Sequence, residues 1–274
     1  MNYTEVVFTL FPVEPAREVL IADLSDSDAE SFVETDNGLI AYFPREFDSF
    51  SLEGLMVSAM PDVQVEVKVN SIERQNWNAT WEASFQPIIV SDSLAVVAPF
   101  HEPSGCVLDL VIQPKMSFGT GHHDTTFLML KHMLEMDFTG KIVLDMGSGT
   151  GVLALLAEKR GAKVIDAIDI DDWSTENCKE NMELNSCSLV SPIQGDANAI
   201  QRNYDVVLAN INRNVLLADM PVYISHLNQH GALLLSGFFV SDREVLVERA
   251  TSLGLRFVGA DARNDWSTLW FEKL

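Results

Sequence analysis

The stretch Lys141-Ile142-Val143-Leu144-Asp145-Met146-Gly147-Ser148-Gly149-Thr150-Gly151-Val152-Leu153 constrains this chain more than any other. Four apolar residues and an acid make a short buried strand, three alternate glycines make a turn, and apolar residues then open a helix. Glycines at that spacing allow positive φ and let a ligand approach where a Cβ would clash. The helix start behind them offers free N–H groups. After a second apolar run, Val164 to Ile168, comes Asp169, with Asp171 and Asp172 behind it. An acid at the end of that second strand can accept both hydroxyl protons of a ribose.

The closest competing pattern is the dinucleotide fingerprint G-x-G-x-x-G, whose third glycine permits close packing around a pyrophosphate. Here the pattern is D-x-G-x-G-x-G, and Val152 stands where that third glycine would fall. S-adenosylmethionine has no pyrophosphate, so the spacing favours it as the cofactor, with Asp145 shaping the loop near the amino-acid tail. Gly147, Gly149 and Asp169 are the first candidate binding residues.

From Phe127 onward, helix and strand patterns alternate. Helices are predicted at 127–135, 152–160, 173–184, 215–227 and 242–253. Strands are predicted at 142–145, 164–168, 189–193, 204–209, 232–235, 256–261 and 268–271. Such alternation implies a parallel sheet with helices on both faces and a ligand crevice at the carboxyl ends of the strands. Asp145, Asp169, Asp196 and Asn210 all fall at those ends. Asp196, in Gln194-Gly195-Asp196-Ala197, can receive the exocyclic amine of adenine; the competing reading is an Asp that caps a turn. Asn210, in Ala209-Asn210-Ile211-Asn212, ends a continuous apolar run and stands at the mouth of the sheet. Its competing reading is a turn former.

Residues 1–70 have a different rhythm. A strand over Glu5 to Leu10 precedes a helix over Pro15 to Leu24. A hairpin follows around Asp36-Asn37-Gly38, then a second helix over Phe47 to Met60 and a strand over Val63 to Val69. The order βαββαβ matches the split-βαβ, ferredoxin-like pattern, and the domain holds no nucleophile or ligand cluster. Trp77, Trp81 and Phe85 recur at helical spacing, which predicts a connector helix over 71–86 with an aromatic packing stripe. Two strands are expected next, Ser93 to Pro99 and Cys106 to Ile112, at the start of a second domain spanning 87–274.

Bulk composition excludes several classes. Forty acidic residues against 18 basic ones give a net charge of −22, which repels nucleic acid and attracts a basic protein. Three scattered cysteines, Cys106, Cys178 and Cys187, give neither a disulfide framework nor a zinc motif. No apolar run approaches the roughly 18 residues of a membrane span, and Met-Asn-Tyr-Thr-Glu lacks the basic patch of a signal peptide. A cytoplasmic protein is the expectation. Adjacent His122 and His123 lack metal-ligand spacing. With Gly119, Gly121 and three threonines around them they suit a flexible lid, and Thr126, near a helix start, can supply a hydroxyl.

Taken together, Phe118-Gly119-Thr120-Gly121-His122-His123-Asp124-Thr125-Thr126, Asp145-Met146-Gly147-Ser148-Gly149-Thr150-Gly151 and Val206-Val207-Leu208-Ala209-Asn210-Ile211 resemble the bacterial methyltransferases that modify the eleventh protein of the large ribosomal subunit. Asn76-Trp77 with Trp81 and Phe85-Gln86-Pro87 is similar to that family's linker, and Asp265-Trp266 to its closing strand. The resemblance implies a doubly wound, mostly parallel α/β sheet of the class I methyltransferase (Rossmann-like) type, preceded by the small α+β ferredoxin-like domain. It also implies an S-adenosyl-L-methionine-dependent protein N-methyltransferase whose first domain grips the basic ribosomal protein. Lysine ε-amines and an N-terminal α-amine would be its targets. Thr126, Gly147, Asp169 and Asn210 match the family's cofactor contacts. Gln113-Pro114-Lys115 departs from the family's usual Asp-Pro-Gly, which implies a different hinge for the lid. The alternatives are a methyltransferase for another protein or a small amine, a nicotinamide-linked oxidoreductase, and a non-catalytic scaffold.

Overall fold

The computed structural model describes residues 3–72, 82, 84–115 and 117–274. The chain divides into two compact units, Met1–Ser84 and Phe85–Leu274.

In the first unit, β1 (Tyr3–Phe11) alternates buried and partly exposed residues, the period of a strand with one face on a core. It is followed by α1 (Ala16–Ser25), β2 (Ser31–Thr35), β3 (Gly38–Phe43) and β4 (Gln64–Ile72). The antiparallel sheet runs β2-β3-β1-β4. Val6, Phe8 and Leu10 of β1 meet Leu20 and Leu24 of α1 in its core. The predicted second helix over 47–60 does not form; a single 3-10 turn, Met56–Ala59, stands there. Gly54 takes φ +88 in the middle of the segment, outside helical space, and the Ser51 hydroxyl takes up the Glu53 amide instead. The apolar spacing serves aromatic packing: Phe50 meets Phe8 edge-on at 5.3 Å and Phe47 meets Phe43 at 5.2 Å. Trp77 and Trp81 of the predicted connector helix lie outside the described residues. Phe85, at the start of the second unit, packs on His122 at 4.3 Å.

The second unit opens with a small sheet, β5 (Ile88–Ser91), β6 (Leu94–Val97) and β7 (Leu108–Val111), in the order β5-β6-β7. Sequence reasoning found the last two strands and missed Ile88–Ser91, where Pro87 hid a short apolar run. Then come α2 (Asp124–Met133), β8 (Ile142–Met146), α3 (Val152–Lys159), β9 (Val164–Asp169), α4 (Asp172–Leu184), β10 (Val190–Gln194), β11 (Tyr204–Asn210), α5 (Arg213–Ser225), β12 (Leu227–Phe239), α6 (Arg243–Ser252), β13 (Leu255–Arg263) and β14 (Trp266–Lys273). The seven-stranded sheet runs β10-β9-β8-β11-β12-β14-β13. All its neighbours pair in parallel except the two pairings of β14.

Two apolar layers hold this sheet. Val143, Ile165 and Leu208 face Met133 of α2 and Leu155 of α3 on one side. Leu144, Ile168 and Val207 face Leu216 and Met220 of α5 and Leu246 of α6 on the other. Each such side chain, fully buried, contributes roughly 1.5–3 kcal/mol. The strand order reverses between β8 and β11, and a doubly wound sheet opens its ligand crevice at that point. Among the described residues, no helix is long and apolar enough to cross a membrane.

Candidate active site

β8 delivers the chain into the crevice, and the glycine turn fixes its shape there. Gly147 N and Ser148 N donate to the Ile168 carbonyl at 2.8 and 3.1 Å, which ties the turn to β9. Gly147 and Gly149 take φ +70 and +53, in the left-handed region that costs a side-chain-bearing residue about 1–2 kcal/mol. A Cβ on Gly149 would overlap the Phe118 carbonyl oxygen, and one on Gly147 would overlap Ile211.

Two acids support the turn from below. Asp169 is largely buried. Its Oδ2 accepts from Gly149 N at 2.8 Å and its Oδ1 from Asp171 N at 3.1 Å. Each oxygen thus holds one loop amide and keeps capacity for a further donor on the cavity side. Asp145 is fully buried; Oδ2 accepts from Ala154 N at 3.0 Å, while Oδ1 has no partner. Burial, reinforced by the nearby Asp169 charge, pushes its carboxyl up to about 7.

At the end of β10, Asp196 both caps a 3-10 turn and lines the cavity. Its Oδ1 accepts from Asn198 N at 2.9 Å and its Oδ2 from Asn198 Nδ2 at 3.1 Å.

Across the crevice, α2 begins at Asp124, three residues before its predicted start, because His123 acts as its cap and Nδ1 accepts from Thr125 N. The early start buries Thr126 completely, behind the cavity wall. Its Oγ1 accepts from Asn210 Nδ2 at 3.2 Å. Asn210 lines the cavity, and its Oδ1 is buried without a partner. Thr126 therefore orients Asn210 from behind, committing the NH₂ end and leaving the carbonyl oxygen free.

The glycine- and threonine-rich segment expected to be a flexible lid is fastened down. Thr150 N donates to Phe118 O at 2.9 Å and Thr150 Oγ1 to Gly119 O at 2.8 Å. Gln113, in the predicted hinge, is held too: its N donates to Asn181 Oδ1 at 2.8 Å, and Lys115 pairs with Glu180. His122 is engaged with Gln86 O and Thr120 Oγ1. Among the described residues, no group of His, Cys, Asp and Glu is arranged to hold a metal ion.

The cavity encloses about 630 Å³, a size suited to a nucleoside-sized ligand. Gly147, Gly149, Asp169, Asp196 and Asn210 line it, and Thr126 stands behind. Sequence reasoning missed its aromatic rim. Phe118 packs on His123 at 5.2 Å, His123 on Trp266 at 4.5 Å, and Trp266 stacks on Phe239 at 4.2 Å. Trp173 and Asp219 line the cavity as well. Trp173 was legible as a signal, since a tryptophan one residue into a helix that follows a strand-end acid lies near the crevice. Trp266 and Phe239 meet only through the pairing of β12 with β14. The site fits an S-adenosylmethionine-shaped ligand on two counts: glycines keep the turn open where side chains would fill it, and the buried Ser117 and Asn210 oxygens of its lining have no protein partner.

Residues 14–274 match the family model for ribosomal protein L11 methyltransferase (PrmA). A ribosomal protein L11 methyltransferase of Porphyromonas gingivalis is 42% identical over 291 residues, covering 99% of this chain and 98% of its own. One of Phocaeicola vulgatus is 40% identical over 278 residues, covering 99% of each. Among solved structures, a ribosomal protein L11 methylase of Lactobacillus delbrueckii subsp. bulgaricus superposes with a TM-score of 0.65 at 26% identity. It covers 69% of this chain and all of that one.

Proposed function

The chain belongs to the family of ribosomal protein L11 methyltransferases, and from that premise we propose that it methylates ribosomal protein L11 on lysine ε-amines, the N-terminal α-amine, or both. It is an S-adenosylmethionine-dependent enzyme; the nicotinamide-linked alternative falls with the family assignment. The observation that carries the reading is Asn210: a buried carbonyl oxygen with no protein partner, set in the cavity wall by Thr126.

When bound, S-adenosylmethionine supplies a methyl group already activated on a sulfonium. The chain's own task is then to bind, align and exclude water, and alignment can contribute up to ~7–11 kcal/mol. Asp169 accepts the ribose hydroxyls with the capacity its two loop amides leave free. Asp196 faces the adenine amine. The Gly147–Gly149 backbone carries the tail, beside the Ser117 and Ser148 hydroxyls. Asn210 Oδ1 accepts an N–H of the incoming amine and so turns its lone pair along the line of transfer. The amine must arrive neutral, against a reference pKa near 10.4 for lysine. Entry past Phe118 and Trp266 removes water from an ammonium and favours its loss of a proton before transfer. After transfer the nitrogen's surplus proton returns to solvent.

A first domain over 1–70 grips the substrate, followed by a connector over 71–86 and a transferase domain over 87–274. Residues 1–84 carry 16 of the 40 acidic residues but only 4 of the 18 basic ones, a field that attracts a basic ribosomal protein. Such a substrate supports a cytoplasmic location, and the same field disfavours direct binding of nucleic acid.

The test is transfer of labelled methyl from S-adenosylmethionine to purified L11, free and in the large subunit, with mass spectrometry locating the groups. Labelled L11 supports the reading. Cofactor binding without label on L11 discards the substrate and turns the search to other proteins or small amines.

A further inference from the structure

Three asparagines, Asn177 and Asn181 on one face of α4 and Asn185 at its C-cap, recur every four residues, and all are buried. On an ordinary helix such a stripe faces water. Here each one grips the backbone of another segment. Asn185 holds Val111 at the end of β7 from both sides, accepting from its N at 2.9 Å and donating to its O at 2.6 Å. Asn177 Nδ2 donates to Gln113 O at 3.4 Å.

Asn181 does something its neighbours do not. Its Oδ1 accepts from Gln113 N at 2.8 Å, and its Nδ2 donates to Thr150 O, in the glycine turn, at 2.9 Å. The same Thr150 donates its own N–H to Phe118 O. Gln113 and Phe118 are thereby both fastened to a single peptide neighbourhood, one through the Asn181 amide and the other through Thr150. Asn181 is wholly buried and Thr150 likewise, so water cannot take the place of either bond without opening the structure.

We propose that Asn181 is a positioning residue for cofactor binding: it sets the lid segment and the glycine turn at one fixed separation, and so pre-forms the wall that receives the amino-acid tail. The proposal rests on the reading of the cavity as an S-adenosylmethionine site. Asn181 touches no part of that cavity and acts through Thr150 and Gln113. Without it, the turn keeps its Thr150 bonds to Phe118 and Gly119 but loses its tie to Gln113, so that end of the wall must be placed when the ligand binds, and that ordering weakens affinity.

Calorimetric titration with S-adenosylmethionine tests this on the full chain, at a temperature where every variant is folded. Asn181→Ala and the shape-matched Asn181→Leu, which serves if the alanine variant fails to fold, should each raise Kd at least about tenfold, the effect of losing one buried hydrogen-bond pair. Turnover at saturating cofactor should stay within about threefold of the wild type. Asn185→Ala, which gives up the Val111 clamp, should lower the melting temperature comparably yet keep Kd within about twofold. Wild-type affinity in the Asn181 variants would overturn the proposal. So would an equal loss of affinity in Asn185→Ala, because the ladder would then serve the fold alone. The wild type is titrated first; failure of that titration would instead bring down the reading of the cavity, and this proposal with it.

Discussion

At the end of β8 the Asp145 carboxyl is completely buried, and asparagine in its place separates the cost of its charge from the value of its hydrogen bond. Burial raises its midpoint from the ordinary 3.8 to about 7. The folded state therefore holds this proton more tightly than the unfolded chain does. The group supports folding fully below its ordinary value, and that support is lost as pH rises toward the folded midpoint. At ~1.4 kcal/mol per tenfold change in proton affinity, the loss above neutral pH is roughly 4 kcal/mol. Asparagine keeps the acceptor for Ala154 N and carries no charge, but it buries an NH₂ group without a partner at a cost of ~1–3 kcal/mol. Asp145→Asn should thus match the wild type within about 1 kcal/mol near about pH 5 and exceed it by about 1–3 kcal/mol near about pH 8. At ~2–4 °C per kcal/mol for a chain of this size, melting curves across that range resolve the difference. A stability gap that stays constant between the two pH values would refute the reasoning, since only the buried charge makes it widen.

Other perturbations bear on the cavity. Asn210→Ala should reduce turnover about a hundredfold, the cost of a misaligned reactant, with the melting temperature unchanged; Thr126→Val should do the same more mildly, by about tenfold. Unaltered turnover in Asn210→Ala would remove its role as amine acceptor. Gly149→Ala forces a Cβ against the Phe118 carbonyl and should raise the cofactor Kd at least about tenfold while lowering stability by about 1–2 kcal/mol. Gly140→Ala, also at positive φ but with open space around it, should lower stability similarly and leave Kd alone, which calorimetry will report. If the acidic first unit steers L11, kcat/KM for that protein should fall steeply with added salt; a flat profile in steady-state assays would exclude steering.

The parts of the site legible in the sequence are those fixed by local pattern. Gly147, Gly149, Asp169, Asp196 and Asn210 each lie at or just beyond the end of a strand, and the doubly wound topology gathers the ends of the parallel strands on one edge. What stayed hidden depends on partners distant in sequence. The hydrogen bond that joins Thr126 to Asn210 depends on where α2 starts, and the His123 cap that sets this start gives no signal in the local pattern. Trp266 and Phe239 form a rim only once β14 has paired with β12. The asparagines of α4 resemble a solvated helix face until the 111–113 segment covers them. In the first unit, the apolar spacing over 47–60 imitated a helix, and Gly54 decided against it.

The sheet order β12-β14-β13 has a consequence in time. β14, later in the chain than both its neighbours, does not take the vacant edge but wedges between two strands already made. It is also the strand that brings Trp266 to the cavity rim. During translation the parallel strands can pair in sequence order from β8 onward, but β12 and β13 must wait apart until β14 emerges. Assembly of the transferase unit is therefore gated by β14, and a polypeptide cut before that strand would expose two unpaired edges in the interior of the sheet, where self-association begins.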